Sequence, residues 1–417
     1  MELPEGANTQ SPKRPRALLE ASAFWSLIIG WAEGKETLFR LKEWRKGAMK
    51  KWHMAVTCVL VLLVLACSGA AVAGPRVSIV QGDESILKGS VILPQGFVNF
   101  LPKHPEGGRE SLYWTLEYTP GSIQEVERMV RQAVDLAGGW PVKRGDTVFI
   151  KFNANNDQWY LLSTGHGTAE DFAATNTDGR IARAVALLCK ESGAKKIIIG
   201  EAPGLANAVM CMKVWGAELA VKDAGAELVD LDRVPYKWVR APHALAAKEY
   251  AIPKVVLDAN VVISVANLKT HGFAGTTGVL KNIAIGVPPN QVYGAPKTGL
   301  RHDVLARTMG DVCEIVKAQY NILGAIYGGE GAGPTMCRGI YQGIVIAGKD
   351  PVAVDYVGSA CMGRAPERYG YLRVAQEIGL GTYRDIEVVG KRIDEVMKEY
   401  APLPGHGPAS FGEVWGW

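Results

Sequence analysis

Contiguous runs of β-branched and other apolar residues alternate along this chain with segments whose apolar positions recur every three to four residues. Runs of the first kind mark strands buried on both faces. They fall at 147–152 (TVFIKF), 195–200 (KKIIIG), 227–231, 261–265, 343–347 and 386–389, with a short strand at 75–80 ahead of them. Segments of the second kind predict helices over 122–137, 177–192, 206–224, 303–317, 369–378 and 393–400. The βαβα rhythm predicts an α/β fold: a mainly parallel, doubly wound, Rossmann-like sheet with helices on both faces. In 122–137 (SIQEVERMVRQAVDLA), Ser122 reads as the N-cap, Glu125 completes a capping box, and Gly138 and Gly139 end the helix. Asp178 suits the dipole of the next helix, and Asp350 with Pro351 reads as an N-cap and first helical position. Residues 233–253, with Trp238 and His243, are less regular and read as an excursion across the sheet end.

The organising stretch is 261–289, VVISVANLKTHGFAGTTGVLKNIAIGVPP. Its apolar run stops at Asn267, after which Lys269, Thr270 and His271 follow at once. A loop of small residues, 272–278, comes next, with Thr276 and Thr277, and Lys281 and Asn282 close the segment. Ligands of open α/β sheets sit outside the carboxyl ends of the strands, so these groups are placed where a site is expected. Lys151 and Asn153 at the end of 147–152 and Glu201 after 195–200 share that location. A lysine in an apolar strand needs a partner or a site, because burial of a lone ammonium is costly. The run Gly328–Pro334 (GGEGAGP) reads as a loop able to offer backbone N–H groups to an anion, with Glu330 at odds with a bare phosphate cradle. It has neither the lysine of a phosphate-binding loop nor the glycine spacing of a dinucleotide site. Asp355, one turn beyond Asp350, is a further acid that could face the ligand space.

Several of these segments carry a resemblance. NLKTHGFAGTTGVLKN, the upstream IKFN (150–153), the GEGAGP turn (329–334) and AGKDPVAVDYVGSACMG (347–363) resemble the bacterial and archaeal family called domain of unknown function 362, in consistent order over about 142–390. The resemblance implies little about activity, since the family is named for lacking a settled one. Some members carry ferredoxin-like cysteine clusters. The family commonly has an Asp where this chain has Gly324, so no acid is implied there.

The amino end changes the picture. From Met49 the chain reads MKKWHMAVTCVLVLLVLACSGAAVAG: a basic start at Lys50 and Lys51, an apolar core and an Ala71-Val72-Ala73 exit. This is the layout of a secretory signal peptide, with a core too short to span a bilayer comfortably. Residues 1–48 then read as an upstream extension, with Met49 as the true start. Val64 to Cys67 also forms a weak lipobox, in which Cys67 would carry a lipid. Export by the general secretion route is expected either way, and a membrane is met only through the signal or a lipidated Cys67. The remainder reads as one domain over 75–400, with an irregular insertion at 81–120 and a loosely attached tail at 401–417.

The 417 residues are 48% apolar and 21% charged, with a net charge of +4. That charge is too small, and too little clustered, to imply nucleic acid as a partner. Beyond the leader, Cys189, Cys211, Cys313, Cys337 and Cys361 are widely spaced with no C-x-x-C pair, which disfavours cluster or zinc binding. Cys189 and Cys361 read as buried apolar residues.

Cations beside hydroxyls suit a carboxylate or phosphate, and a His near a Lys suits proton transfer near neutral pH. The leading expectation is an enzyme acting on a small anionic metabolite, with His271 or Lys269 as acid or base. Lys151, Asn153, Thr270, Thr276, Thr277, Lys281, Asn282, Glu330 and Asp355 would serve as ligand contacts. A second reading is an exported protein that captures an anionic ligand or cofactor without turnover. A third is metal or iron–sulfur handling, with His271, Glu201, Glu330 and Asp355 as conceivable donors but no ligand spacing to support it. The sequence identifies neither a cofactor nor an oligomeric state.

Overall fold

Thr147–Phe152 is the strand from which the sheet is laid out in both directions. In the computed structural model, which describes residues 74–93, 115–155, 167–204 and 207–403, the strands are β1 (Arg76–Gln81), β2 (Thr147–Phe152), β3 (Lys196–Glu201), β4 (Glu227–Asp230), β5 (Val261–His271), β6 (Gly275–Thr277), β7 (Tyr320–Ala332), β8 (Met336–Gly348) and β9 (Glu387–Gly390). Their order is β9-β1-β8-β7-β5-β2-β3-β4, with β6 folded back on β5. The five strands β7-β5-β2-β3-β4 are parallel, and β8 runs antiparallel to both its neighbours. The sheet is thus mixed and mainly parallel. The expected leader at 49–73, the extension 1–48 and the lipobox Cys67 lie outside the described residues. So do 94–114 of the irregular insertion and 404–417 of the tail.

Strand alternation sends successive side chains to opposite faces. Val148, Ile150 and Phe152 of β2, with Ile263 and Val265 of β5, enter a core shared with helices α1 (Pro120–Ala137), α2 (Ala169–Thr175), α3 (Gly179–Glu191) and α4 (Ala208–Val214). A further helix, α5 (Glu218–Ala224), follows α4. Phe149, Ile198 and Val262 face the other way, against α6 (Val279–Gly286), α7 (Leu305–Ile315) and α9 (Gly370–Glu377). On that same face Leu323, Ile344 and Ile346 pack on α8 (Pro351–Cys361). Helices therefore cover both faces, as the doubly wound pattern predicts.

The chain crosses from one edge direction to the other between β2 and β5. From β2 the sheet grows outward through β3 and β4, while β5 lies on the opposite flank of β2. This is a topological switch point, where the strand ends open a crevice.

Several local expectations need correction. The N-cap of α1 is Thr119 rather than Ser122. The Glu125 carboxylate accepts from the Asp83 N–H at 2.9 Å and pairs with Arg128 instead of closing a capping box. The helix expected over 206–224 is two helices, broken where Gly216 takes a φ of +82°. Residues 236–240 and 249–253 form an antiparallel hairpin, not an irregular excursion. The terminal helix is a single turn, Ile393–Val396. Asp178 and Asp350 do cap α3 and α8, the second by accepting from the N–H groups of Val352 and Ala353.

The largest departures lie in the organising stretch. The strand does not stop at Asn267: β5 continues to His271 with all eleven residues buried, and 275–277 pairs back on it as β6. The Gly328–Gly331 run is likewise strand, inside β7 and paired with β8, and the Gly331 N–H donates to the Ala401 carbonyl, so the run is not an open anion-binding loop. A Cβ at Gly329 would lie 2.7 Å from the Lys269 Cβ and 2.8 Å from Cys337, which accounts for a glycine at that crossing.

Candidate functional site

A cavity of about 610 Å³ opens at the carboxyl ends of β2, β3 and β5, at the switch point. Its wall takes Asn153 and Asn155 from the end of β2, Glu201 from β3, His271 and Phe273 from β5 and its turn, and Thr277 from β6. Lys281 and Ile285 of α6 and the loop residues Lys297, Arg301 and His302 complete it, with Gly333 and Pro334 at the β7–β8 turn. A larger hollow of about 760 Å³ lies near the start of β7, lined by Trp140, Val316, Lys317, Asn321 and Lys349. The carboxyl-end cavity holds more convergent polar groups, and it is the candidate site.

Beneath its floor, Lys151 and Glu201 form a buried ion pair with Nζ and Oε1 2.7 Å apart. The Lys151 ammonium also donates to the Asn282 side-chain oxygen at 2.9 Å and to the Phe152 carbonyl, which uses all three N–H groups. Burial draws the Lys151 pKa down, and the Glu201 charge opposes that shift. Glu201 accepts in turn from the N–H groups of Ala154 and Ala202. Asn282 donates to the Lys151 carbonyl at 3.0 Å and to Ser264 at 3.1 Å, tying β2 to β5. These groups are spent on each other, and Lys151 and Asn282 do not line the cavity.

The remaining lysines behave differently. Lys269 is fully buried and donates to the Thr175 carbonyl of α2. Burial lowers its pKa to about 8. Lys297 donates to the Ile285 carbonyl, and burial lowers its pKa to about 7. Lys281 is 8% exposed and, among the described residues, has no hydrogen-bond or ion-pair partner. Burial first, then the charges of Lys269 and Lys297, bring its pKa to about 7. An ammonium held this way is ready to gain from an anion.

The two imidazoles of the wall present opposite faces. His271 Nδ1 accepts from the N–H groups of Phe273 at 3.0 Å and Ala274 at 3.1 Å, so its proton sits on Nε2. Burial, reinforced by Lys281 and Lys269, holds its pKa well below the usual value. His271 is therefore a neutral hydrogen-bond donor, and its basic nitrogen is occupied. We expect nitrogen NMR to show the Nε2–H neutral tautomer persisting below the pH at which an ordinary imidazole titrates; an imidazolium signal appearing at the ordinary imidazole pH would contradict this. His302 is reversed: Nδ1 lies 2.8 Å from the Leu300 carbonyl, which can only accept, so Nδ1 carries the proton and Nε2 keeps its lone pair. Burial lowers its pKa as well. The ring of Phe273 lies 6.2 Å from that of His271 and 6.3 Å from that of His302.

Among the described residues, two buried polar atoms of the wall, Asn153 Oδ1 and Thr277 Oγ1, have no hydrogen-bond partner, and neither does Asn155 Nδ2. Unsatisfied groups cost about 1–3 kcal/mol each unless something fills them. Three in one cavity beside an unpaired lysine mark a surface shaped for a polar ligand.

Of the expected contacts, Asn153, Glu201, His271, Thr277 and Lys281 meet in this cavity. The others do not line it, each for a visible reason. Lys269 is turned into the core against α2. Thr270 donates to the Gly331 carbonyl at 2.9 Å, and Thr276 reaches the Tyr369 hydroxyl at 3.3 Å. Glu330 accepts from the Ala401 N–H, and Asp355 caps α6 by accepting from the N–H groups of Val279 and Leu280. Burial pushes the Asp355 carboxyl up to about 7. Lys297 and His302 went unrecognised in the sequence, although a long connection carrying PKTGLRH between helices is a functional hint in itself.

The five cysteines from Cys189 onward are buried and free of disulfides, and among the described residues no three His, Cys, Asp or Glu side chains converge as a metal cage. No described helix is long and apolar enough to cross a membrane.

Fold and wall together define an α/β protein with a cavity at the switch point of its sheet whose wall carries Lys281 and Lys297. The chain belongs to the family described as domain of unknown function (DUF362), whose model matches residues 148–360. It is 24% identical over 272 residues to a thylakoid-associated protein of Synechocystis sp., a match that covers 65% of this chain and 79% of that protein. Among solved structures, the lactate racemase apoprotein from Thermoanaerobacterium thermosaccharolyticum aligns at a TM-score of 0.35 and 13% identity, over 59% of this chain. This chain spans only 55% of the racemase chain, and the likeness carries no argument about the site.

Proposed function

We propose that this protein binds a small carboxylate- or phosphate-bearing metabolite in the carboxyl-end cavity and moves a proton on it. The observation that carries the reading is Lys281: a buried amine with no partner among the described residues, on the wall of a cavity that also holds Lys297. Lys281 and Lys297 would hold the anion, and the Nε2–H of His271 would donate to it. His302 Nε2, with its lone pair unspent, would act as the base in place of His271. Asn153 and Thr277 would meet the polar remainder of the ligand.

A panel of small mono- and dianions, read by thermal shift at pH 6.5, tests the binding step. At least one should raise the melting temperature of the wild type and leave Lys281→Met unmoved. No response from any anion would refute the reading. Exchange of ligand C–H for deuterium in heavy water tests the proton transfer, and binding without exchange or turnover would favour a capture protein instead. The leader-like layout of residues 49–73 supports placing this function outside the cytoplasm. Mass analysis of the mature amino terminus should find a start at Gly74 or a lipidated Cys67, and an intact Met49 would contradict export.

A further inference from the structure

An anion site needs cations, but it does not need one of them half neutral and unbonded. Lys297 is anchored to the Ile285 carbonyl and Lys269 to the Thr175 carbonyl. Among the described residues, Lys281 alone of the three has its nitrogen unengaged, on the wall of a cavity large enough for a small metabolite. Its two cationic neighbours disfavour a third full charge, so the free amine is accessible near neutral pH. An amine in that state is a nucleophile toward carbonyl carbon.

We propose that Lys281 forms a reversible imine with a carbonyl compound that also bears a carboxylate, the 2-oxo acids being the simplest such class. This rests on the anion-binding reading and names its substrate class. Lys297 and the Nε2–H of His271 hold the carboxylate, which brings the adjacent carbonyl to Lys281. The Lys281 nitrogen lone pair attacks the carbonyl carbon, and the C–O π pair moves to oxygen. One N–H proton passes to His302 Nε2, and the alkoxide oxygen takes up a proton from solvent water to give the carbinolamine, so that imine formation consumes one proton from solution overall. The C–O bond then breaks as His302 returns its proton to the leaving hydroxyl. One water departs, and Lys281 remains as a protonated imine, whose formation consumes no oxidant or reductant. His302 suits this shuttle because its Nδ1 proton is committed to Leu300 and its Nε2 is bare. Lys281 and His302 line the same cavity, and the Lys281 charge is one of the causes that lower the His302 pKa.

The test is reductive trapping on the full chain. The protein is incubated at pH 7 with glyoxylate, pyruvate or 2-oxoglutarate in the presence of cyanoborohydride, and adducts are mapped by peptide mass. An ordinary lysine is neutral to about one part in two thousand or less at pH 7, so Lys281 should be labelled at least a hundredfold faster than surface lysines. Lys281→Arg, which keeps a cation but cannot form an imine, should abolish that adduct and leave the labelling of surface lysines unchanged. Absence of an adduct on Lys281, or labelling spread over lysines in proportion to exposure, would overturn the imine. The two readings fail separately. If lactate or phosphate still raises the melting temperature through Lys281 while no adduct forms, the imine alone falls; if neither occurs, anion binding falls with it.

Discussion

Lys281→Met should melt at a higher temperature than the wild type at pH 6, and the advantage should shrink steadily as the pH is raised toward 10. The reason is linkage. The Lys281 ammonium titrates near 7 in the folded chain and near its ordinary 10.5 when unfolded. Below pH 7 both states carry the proton, and the folded state bears the whole penalty of a buried charge without a partner. Between 7 and 10.5 the unfolded chain binds the proton and the folded chain does not, so wild-type stability rises with pH. A shift from 10.5 to about 7 corresponds to on the order of 5 kcal/mol, and a methionine of similar length removes it. The same substitution should abolish anion binding, which is the usual opposition between stability and function at a binding site. Melting curves from pH 6 to 10 check the sign. A methionine variant less stable than wild type at pH 6 would mean that Lys281 has a partner in solution.

The second large effect belongs to the ion pair under the cavity floor. Glu201→Ala should destabilise the fold by about 3–5 kcal/mol, because it strands the Lys151 ammonium in the core and also frees the N–H groups of Ala154 and Ala202. Pairing that change with Lys151→Met should recover much of the loss, since the buried charge is then gone from both sides. Urea unfolding of the two single variants and the double variant measures it. A Glu201→Ala loss below about 1 kcal/mol would show that Lys151 finds other acceptors or sheds its proton cheaply.

The architecture was legible because its signals are local. The β-branched runs at 147–152, 195–200 and 261–265 correspond to strands of the structure, and Asp178 and Asp350 cap the helices they precede. What escaped was the fate of polar residues whose partners lie far along the chain. Asn267, Lys269 and His271 look like the end of a strand, yet they share one face of β5. The ladder continues because α2 supplies the Ala174 carbonyl to Asn267 and the Thr175 carbonyl to Lys269. No pattern near residue 269 announces a helix end ninety positions earlier. The glycine run was misread for a related reason: glycine suits an anion-binding loop, but here it lets β7 pass close to Lys269 and Cys337.

The site was legible in part. Position at the strand ends brought Asn153, His271, Thr277 and Lys281 together. Chemistry alone could not divide the lysines by role. Lys151 and Lys281 are both buried, and only the presence of Glu201 beside one and the lack of a partner among the described residues beside the other separates a structural ion pair from a free amine. Nor could residue type assign the base: backbone N–H groups occupy the nitrogen of His271 that a base would need, while a single carbonyl leaves that of His302 open.

The most direct measurement is proton uptake on binding. An anion identified by thermal shift is titrated calorimetrically at pH 7.5 in two buffers of different ionisation enthalpy, and the difference in heat counts the protons taken from solution. Lys281 and Lys297, both titrating near 7, should recharge as the anion arrives, so the account predicts a net uptake of about one proton that falls by half or more in Lys281→Arg. Binding with no uptake, or with release, would contradict the claim that a partly neutral lysine receives the ligand.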